Sequence, residues 1–283
     1  MDVSLKNVNM LPVRTWNRLG INDTGVQEKF SDPAPYIGKA LAGSLPEGVS
    51  LTKKPFPAPD AETGMGKDAA DFVESHSNCG VSLCAAAGTK AEKPVVLNYE
   101  ISGKNPAVID CNEITAEEGS EVTVVMGYRS DGDALGFHGG LTKLYAGKGA
   151  VIHLMQIQLL GDGCTHFDNV GAFAEEGGKI DIVQAELGGK HAFSGVKTRL
   201  GGAKSQLNMN AIYLGDHQRS IDINYIAQHT GRKTSSDINV SGALLDESQK
   251  TFRGTIDFVR GAKQAVGHEN EYNLLFSPKV RNR

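Results

Sequence analysis

Between Glu186 and Pro278 apolar and polar residues alternate at every second position in short runs broken by glycine. Leu207, Met209 and Ala211 interleave with Gln206, Asn208 and Asn210; Ile221, Ile223 and Tyr225 interleave with Asp222, Asn224 and Ile226; Ile238 and Val240 interleave with Asn239 and Ser241. A period of two over such spans predicts strands. Gly215, Gly231, Gly242, Gly254, Gly261 and Gly267 mark the breaks between them. Upstream, Val81 to Ala87 and Pro94 to Ile101 are the first strand candidates, and Gly66 to Ser77 predicts a short helix with Ala69, Phe72, Val73 and His76 on one face.

A strand–turn–strand motif repeats through the middle of the chain. One copy runs from Ile114 to Val124, a second from Leu144 to Leu154, a third from Ala172 to Ile182, and a degenerate fourth from Arg199 to Leu207. The sequence aligns them on Gly119, Gly149, Gly177 and Gly202, at spacings of 30, 28 and 25 residues (149−119, 177−149, 202−177). One such unit cannot bury its apolar face alone, whereas stacked copies make a continuous core. No helical period intervenes, which counts against βαβ units. A β-sandwich shares the turn spacing but not one turn motif recurring at one register. The expected class is therefore mainly β, a β-helix (solenoid) core over residues 81–283 preceded by an irregular, partly helical segment over residues 1–80. Seven of the chain's ten prolines lie before residue 60, and such spacing leaves little room for long helices or paired strands. Trp16, the only tryptophan, reads as an anchor docking this arm on the body.

Composition narrows the function classes. A net charge of −4 gives no reason to expect nucleic acid or an anionic membrane as partner. No apolar run reaches the ~20 residues a membrane span needs. The first ten residues carry Asp2, Asn7 and Asn9 rather than a secretory apolar region, so the expected location is cytoplasmic, with the four cysteines as thiols or ligands rather than a disulfide framework. Gly64-Met65-Gly66-Lys67 is not a phosphate loop, because Ala61 stands where the first glycine is required and Asp68 follows the lysine.

The most specific residues begin at Asp222. His229-Thr230, Thr234-Ser235-Ser236, Gly242-Ala243-Leu244, Phe252-Arg253-Gly254 and Asn273-Leu274-Leu275-Phe276-Ser277 follow in that order. This series resembles the core of the SufB/SufD family, the paired scaffold proteins of the SUF iron–sulfur cluster assembly system. The turns at Glu117 to Ser120 and Gly147 to Ala150, the Pro94 to Leu97 strand and the Arg14 to Trp16 start are similar to that family too, and the start and the lack of a Cys-rich core are more similar to SufD than to SufB. The resemblance implies a right-handed parallel β-helix and a non-catalytic scaffold role. It also implies a dimer with a SufB-like paralogue or with itself through the β-helix end, and a SufC-type ABC ATPase docking on C-terminal helices. Family chains continue where this sequence reaches Arg283, so the expectation is that the ATPase-docking helices are absent and the last coil is open.

No tightly bound cofactor is implied; a transient iron–sulfur cluster or iron at the dimer interface is. His229, His268 and Glu269 fall on family-like positions near turns, and His229 reads either as an iron ligand or as a corner hydrogen bond. Cys164 and His166, one residue apart, share a strand face and could ligate together. Cys79 and Cys84 with His76 form a thinner ligand set, and Cys111 reads as core. Two rivals remain: a carbohydrate-active β-helix enzyme using acids such as Asp181 and Asp222, and a structural solenoid with no cluster role.

Overall fold

The computed structural model describes every residue except Trp16, Asp60 and Asp133, so the docking expected of Trp16 lies outside the described residues. The first elements are β1 (Asp2–Val8), β2 (Thr24–Lys29), β3 (Leu41–Ala42), β4 (Val49–Leu51) and α1 (Lys67–His76). Among the described residues, strands follow without a further helix: β5 (Ser82–Ala85), β6 (Val95–Ile101), β7 (Ala107–Ala116), β8 (Glu121–Ser130), β9 (Gly136–Ala146), β10 (Val151–Leu159) and β11 (Cys164–Ala174). The series closes with β12 (Lys179–Glu186), β13 (His191–Leu200), β14 (Gln206–Gly215), β15 (Ser220–His229), β16 (Ser235–Leu244), β17 (Gln249–Phe258), β18 (Val266–Leu275) and β19 (Arg281–Asn282).

Even-numbered strands from β6 to β18 stack into one parallel sheet and odd-numbered strands from β5 to β19 into another; β3 and β4 close the two sheets at one end as antiparallel partners. The chain thus alternates between sheets and advances one strand per coil, giving a parallel β-solenoid of about seven turns. The alternation in sequence becomes the two faces of each strand. Leu207, Met209 and Ala211 point into the coil, while Gln206, Asn208 and Asn210 look outward. Columns of one residue type run up the stack: Val122, Ile152, Ile180 and Leu207 pair in register and are buried. Among the described residues no helix is long and apolar enough to cross a membrane.

The recurring turn keeps a left-handed residue two positions before the next strand. Gly119, Gly149 and Gly177 hold it at φ 66°, 61° and 65°. In the fourth copy that position belongs to Lys204, at φ 61°, and not to Gly202 as the sequence alignment has it. The fourth turn is one residue longer, and backbone hydrogen bonds fix the register: Gly149 N–H donates to Glu176, Gly177 N–H to Ala203 and Lys204 N–H to Arg232. Lys233 and Gln264 continue the series, at φ 57° and 60°.

The N-terminal segment covers the outer face of the odd-numbered sheet. Val8, Val26, Met65, Ala69 and Val73 pack with Ile109, Phe137, Leu141 and Phe167 in a second apolar cluster outside the coil. Contrary to the sequence expectation, strands do pair here: β1 and β2 are antiparallel, one ahead of Pro12 and the other in the proline-free stretch before Pro33. Helix α1 forms where predicted and buries Ala69 and Val73. The glycine-rich stretch before it is a docking point. A Cβ on Gly64 would lie 2.0 Å from the Val196 nitrogen, and one on Gly195 would lie 2.3 Å from the Met65 nitrogen. Two bare backbones meet there, and Asn169 and Asn224 hydrogen-bond the strap from the sheet side.

Candidate functional site

The interior of the solenoid is apolar along most of its length but polar in its middle coils. Along β9 and β11 the inward positions are His138 and Gly140, then His166 and Asp168; opposite them β10 contributes Gln156 and Gln158 and β12 contributes Gln184 and Glu186. Asp110 on β7 lies below Gly140 and Asp168 lies above it in one column. All of these side chains are buried.

A chain of contacts runs through them. Tyr99 donates to the Asn112 carbonyl oxygen at 2.7 Å, and the Asn112 amide donates to Asp110 Oδ1. Asp110 Oδ2 meets His138 Nε2 at 2.5 Å, and His138 Nδ1 meets His166 Nδ1 at 2.8 Å, with the two rings stacked. His166 Nε2 then faces Glu186 Oε2 at 3.8 Å. Beside this relay, Asp168 accepts from Gln156 at 2.7 Å and from Gln184 at 3.1 Å, while the Gln184 oxygen accepts from Ser194 and Tyr225.

Burial sets the protonation of this group. Removal from water favours the neutral form. It pushes the carboxyls up, Asp110 and Glu186 to about 8 and Asp168 to about 7, with the charge of Asp110 adding to the rise at Asp168. It pulls His138 down to about 3, and His166 well below the usual imidazole range with His138 contributing. One imidazole nitrogen and one oxygen from each of two carboxyls, from His166, Asp168 and Glu186, lie within 4.8 Å of one another.

The residues singled out in the sequence are dispersed. His166 is in this cluster. Cys164 shares its strand face and is buried, but its thiol donates to the Ala134 carbonyl at 3.2 Å and burial raises its pKa. His229 is buried at a corner, with Nδ1 2.7 Å from the Thr234 hydroxyl and Nε2 2.9 Å from that of Ser236, its ring stacked on Phe258. His268 and Glu269 lie on the last full strand, β18, and face opposite ways, because His268 pairs with Asp237 and Glu269 with inward-facing Ile238. Cys79 donates to the Ile109 carbonyl, and His76 stacks on Phe72. Asp181 and Asp222 stand on the outer faces of different sheets, the first beside His153 and Lys179, the second held by Arg253 and Asn9. Asp110, His138, Asp168 and Glu186 escaped the sequence reading. His166 and Asp168 are an i, i+2 pair that alternation alone places on one face, but Glu186 joins them only through the register of the coils.

The far end of the solenoid has a different character. On and next to β17 and β18, Phe258, Val259, Val266, Tyr272, Leu274, Leu275 and Phe276 are all exposed apolar side chains. Inside the same coil, buried Lys250 pairs with Glu271 and lies 5.5 Å from the Tyr213 ring.

The family model described as SUF system FeS cluster assembly, SufBD core domain, matches residues 99–283. The chain belongs to the SufBD family. The match spans the coils from β7 to the end of the chain together with the last residues of β6, and so includes the buried polar cluster and the apolar end. A SufBD core carries a role in the SUF system of iron–sulfur cluster assembly. No curated protein matches the chain.

Proposed function

We propose that this SufBD protein is a non-catalytic, SufD-like scaffold subunit that pairs through the β18 end of its solenoid, with a SufB-like paralogue or with a second copy, and works with a SufC-type ATPase in the cytoplasm. The observation that carries the reading is the apolar edge of β17 and β18. Among the described residues the outer edge of β18 has no strand partner, so it offers backbone donors and acceptors to one, and Tyr272, Leu274, Leu275 and Phe276 add an apolar surface beside it. Residues 1–80 serve the 81–283 core as a clamp over one sheet. The nascent cluster, or iron on its way to it, is cargo at the paired end, where His268 and Glu269 lie. His229 supports the corner through its two hydroxyl partners, and Cys164 has a structural role.

A polysaccharide-cleaving enzyme finds no support, since Asp181 and Asp222 do not share a face. Light scattering of the chain alone and with its paralogue tests the pairing. At tens of micromolar a dimer mass is expected, falling to the monomer in Leu274→Asp/Phe276→Asp. A monomer in both mixtures, or a dimer indifferent to the double substitution, would refute it.

A further inference from the structure

Almost every polar group in the middle coils has a partner, which is what burial demands. Four interior atoms do not, Gln158 Oε1, Thr198 Oγ1, His166 Nε2 and Glu186 Oε2, all buried and without a hydrogen-bond partner among the described residues, and the last two face each other. Their 3.8 Å separation is too long for a hydrogen bond. The surroundings make this pair more than a packing fault. Asn112 is oriented by Tyr99 and by the Val81 N–H, so its amide points at Asp110 and Asp110 Oδ1 is an acceptor there, leaving Oδ2 to meet His138.

From Asp110 outward the relay has two proton registers. In the first, His138 Nε2–H donates to Asp110 and His166 Nδ1–H donates to His138, which leaves a lone pair on His166 Nε2. In the second, Asp110 carries a proton and donates it to His138 Nε2, His138 Nδ1–H donates to His166 Nδ1, and His166 Nε2–H points at an oxygen beyond reach. The first register is the one that metal-binding histidines use, with the far nitrogen donating into a chain that ends on a carboxylate.

We propose that His166, Asp168 and Glu186 bind a divalent first-row transition-metal ion inside the solenoid, with His138 and Asp110 orienting the His166 ring. Metal–ligand distances of about 2.1 Å close the 3.8 Å gap at an angle of roughly 130°. Two carboxylates cancel the charge of a dication where a lone charge could not be accommodated. One imidazole with two carboxylates favours zinc, iron(II), cobalt or manganese over calcium and magnesium, which prefer all-oxygen cages. Gln156 and Gln184 hold Asp168 as outer partners. The cluster is sealed between Tyr128 and Tyr225, so the ion enters while the chain folds and exchanges slowly afterwards. The site is separate from the pairing end, and neither proposal depends on the other.

The test uses the untagged chain expressed in cobalt-supplemented medium, followed by dialysis against EDTA, elemental analysis and X-ray absorption at the cobalt edge. About one first-row ion per chain is expected, in a nitrogen and oxygen shell without sulfur. Glu186→Gln and His166→Gln should lose it, Asp110→Asn should bind 10–100-fold more weakly, by the usual effect of removing an outer partner, and His229→Gln should be unaffected. Folded wild-type protein that emerges without stoichiometric metal overturns the proposal, as does a sulfur-containing shell or retention of cobalt by both ligand variants. Should a ligand variant fail to fold, the wild-type stoichiometry and shell still decide the matter.

Discussion

Lys204 holds at φ 61° the backbone conformation that Gly177 holds one coil earlier, and a lysine reaches it only against its own Cβ. Space is not the issue at Gly177, where an added Cβ would meet only the Gly149 backbone at ordinary contact distance. Gly177→Ala therefore isolates the conformational term and should cost about 1 kcal/mol in urea unfolding, while Lys204→Gly should stabilise by somewhat less, because glycine also loosens the unfolded chain. Opposite signs at the two positions are the expected outcome; equal destabilisation would mean that the turns are not equivalent.

The buried acids give a second prediction at this scale. Asp110, Asp168 and Glu186 have folded pKa values above their ordinary ones, so their stabilising protons are fully present below about pH 4 and are lost as pH rises through about 7 to 8. His138 and His166, shifted down, act the other way but only below about 6.5, where the unfolded chain begins to bind protons. Between about pH 6.5 and 8 the acids act unopposed by these histidines. Metal-free protein should lose thermal stability across that window, and Glu186→Gln should flatten the slope. A midpoint that rises with pH there would contradict the burial of these groups.

Among elements, the strap before α1 is the connection on which the outer layer depends. Gly64 and Gly195 touch backbone to backbone, and neither neighbour can yield as a flexible side chain would. Gly64→Ala should lift the strap, and hydrogen exchange should show lost protection in β1, β2 and α1 while the even-numbered sheet stays protected. Unchanged protection in α1 would argue against the strap as clamp. The same elements show what the sequence made legible. Strand positions, the helix and the coil repeat follow from alternation and turn spacing, which are local. The role of Gly64 does not, because it depends on Gly195, over a hundred residues away. His166 was visible as a candidate next to Cys164, yet its contacts are Glu186 and His138, set by stacking register that no local pattern encodes. Gly202 misled for a related reason: one extra turn residue moved the left-handed position to a lysine.

At the scale of the whole molecule, the chain is a stack of coils with a polar middle and an apolar end. The covered sheet is shielded by the N-terminal segment, and the charged pair Lys250–Glu271 closes the interior near the β18 end without hiding its apolar rim. The SufBD match places this architecture in iron–sulfur cluster assembly, and pairing at the rim is the step that would make the chain part of a working complex. The most direct measurement is acid-labile sulfide on the complex recovered after co-expressing this chain with its SUF partners; sulfide, unlike iron, is not confused with an ion in the coil. The account predicts sulfide on the complex with the wild-type chain and its loss with Leu274→Asp/Phe276→Asp. Equal sulfide with the variant, or with the chain left out altogether, would contradict the scaffold role.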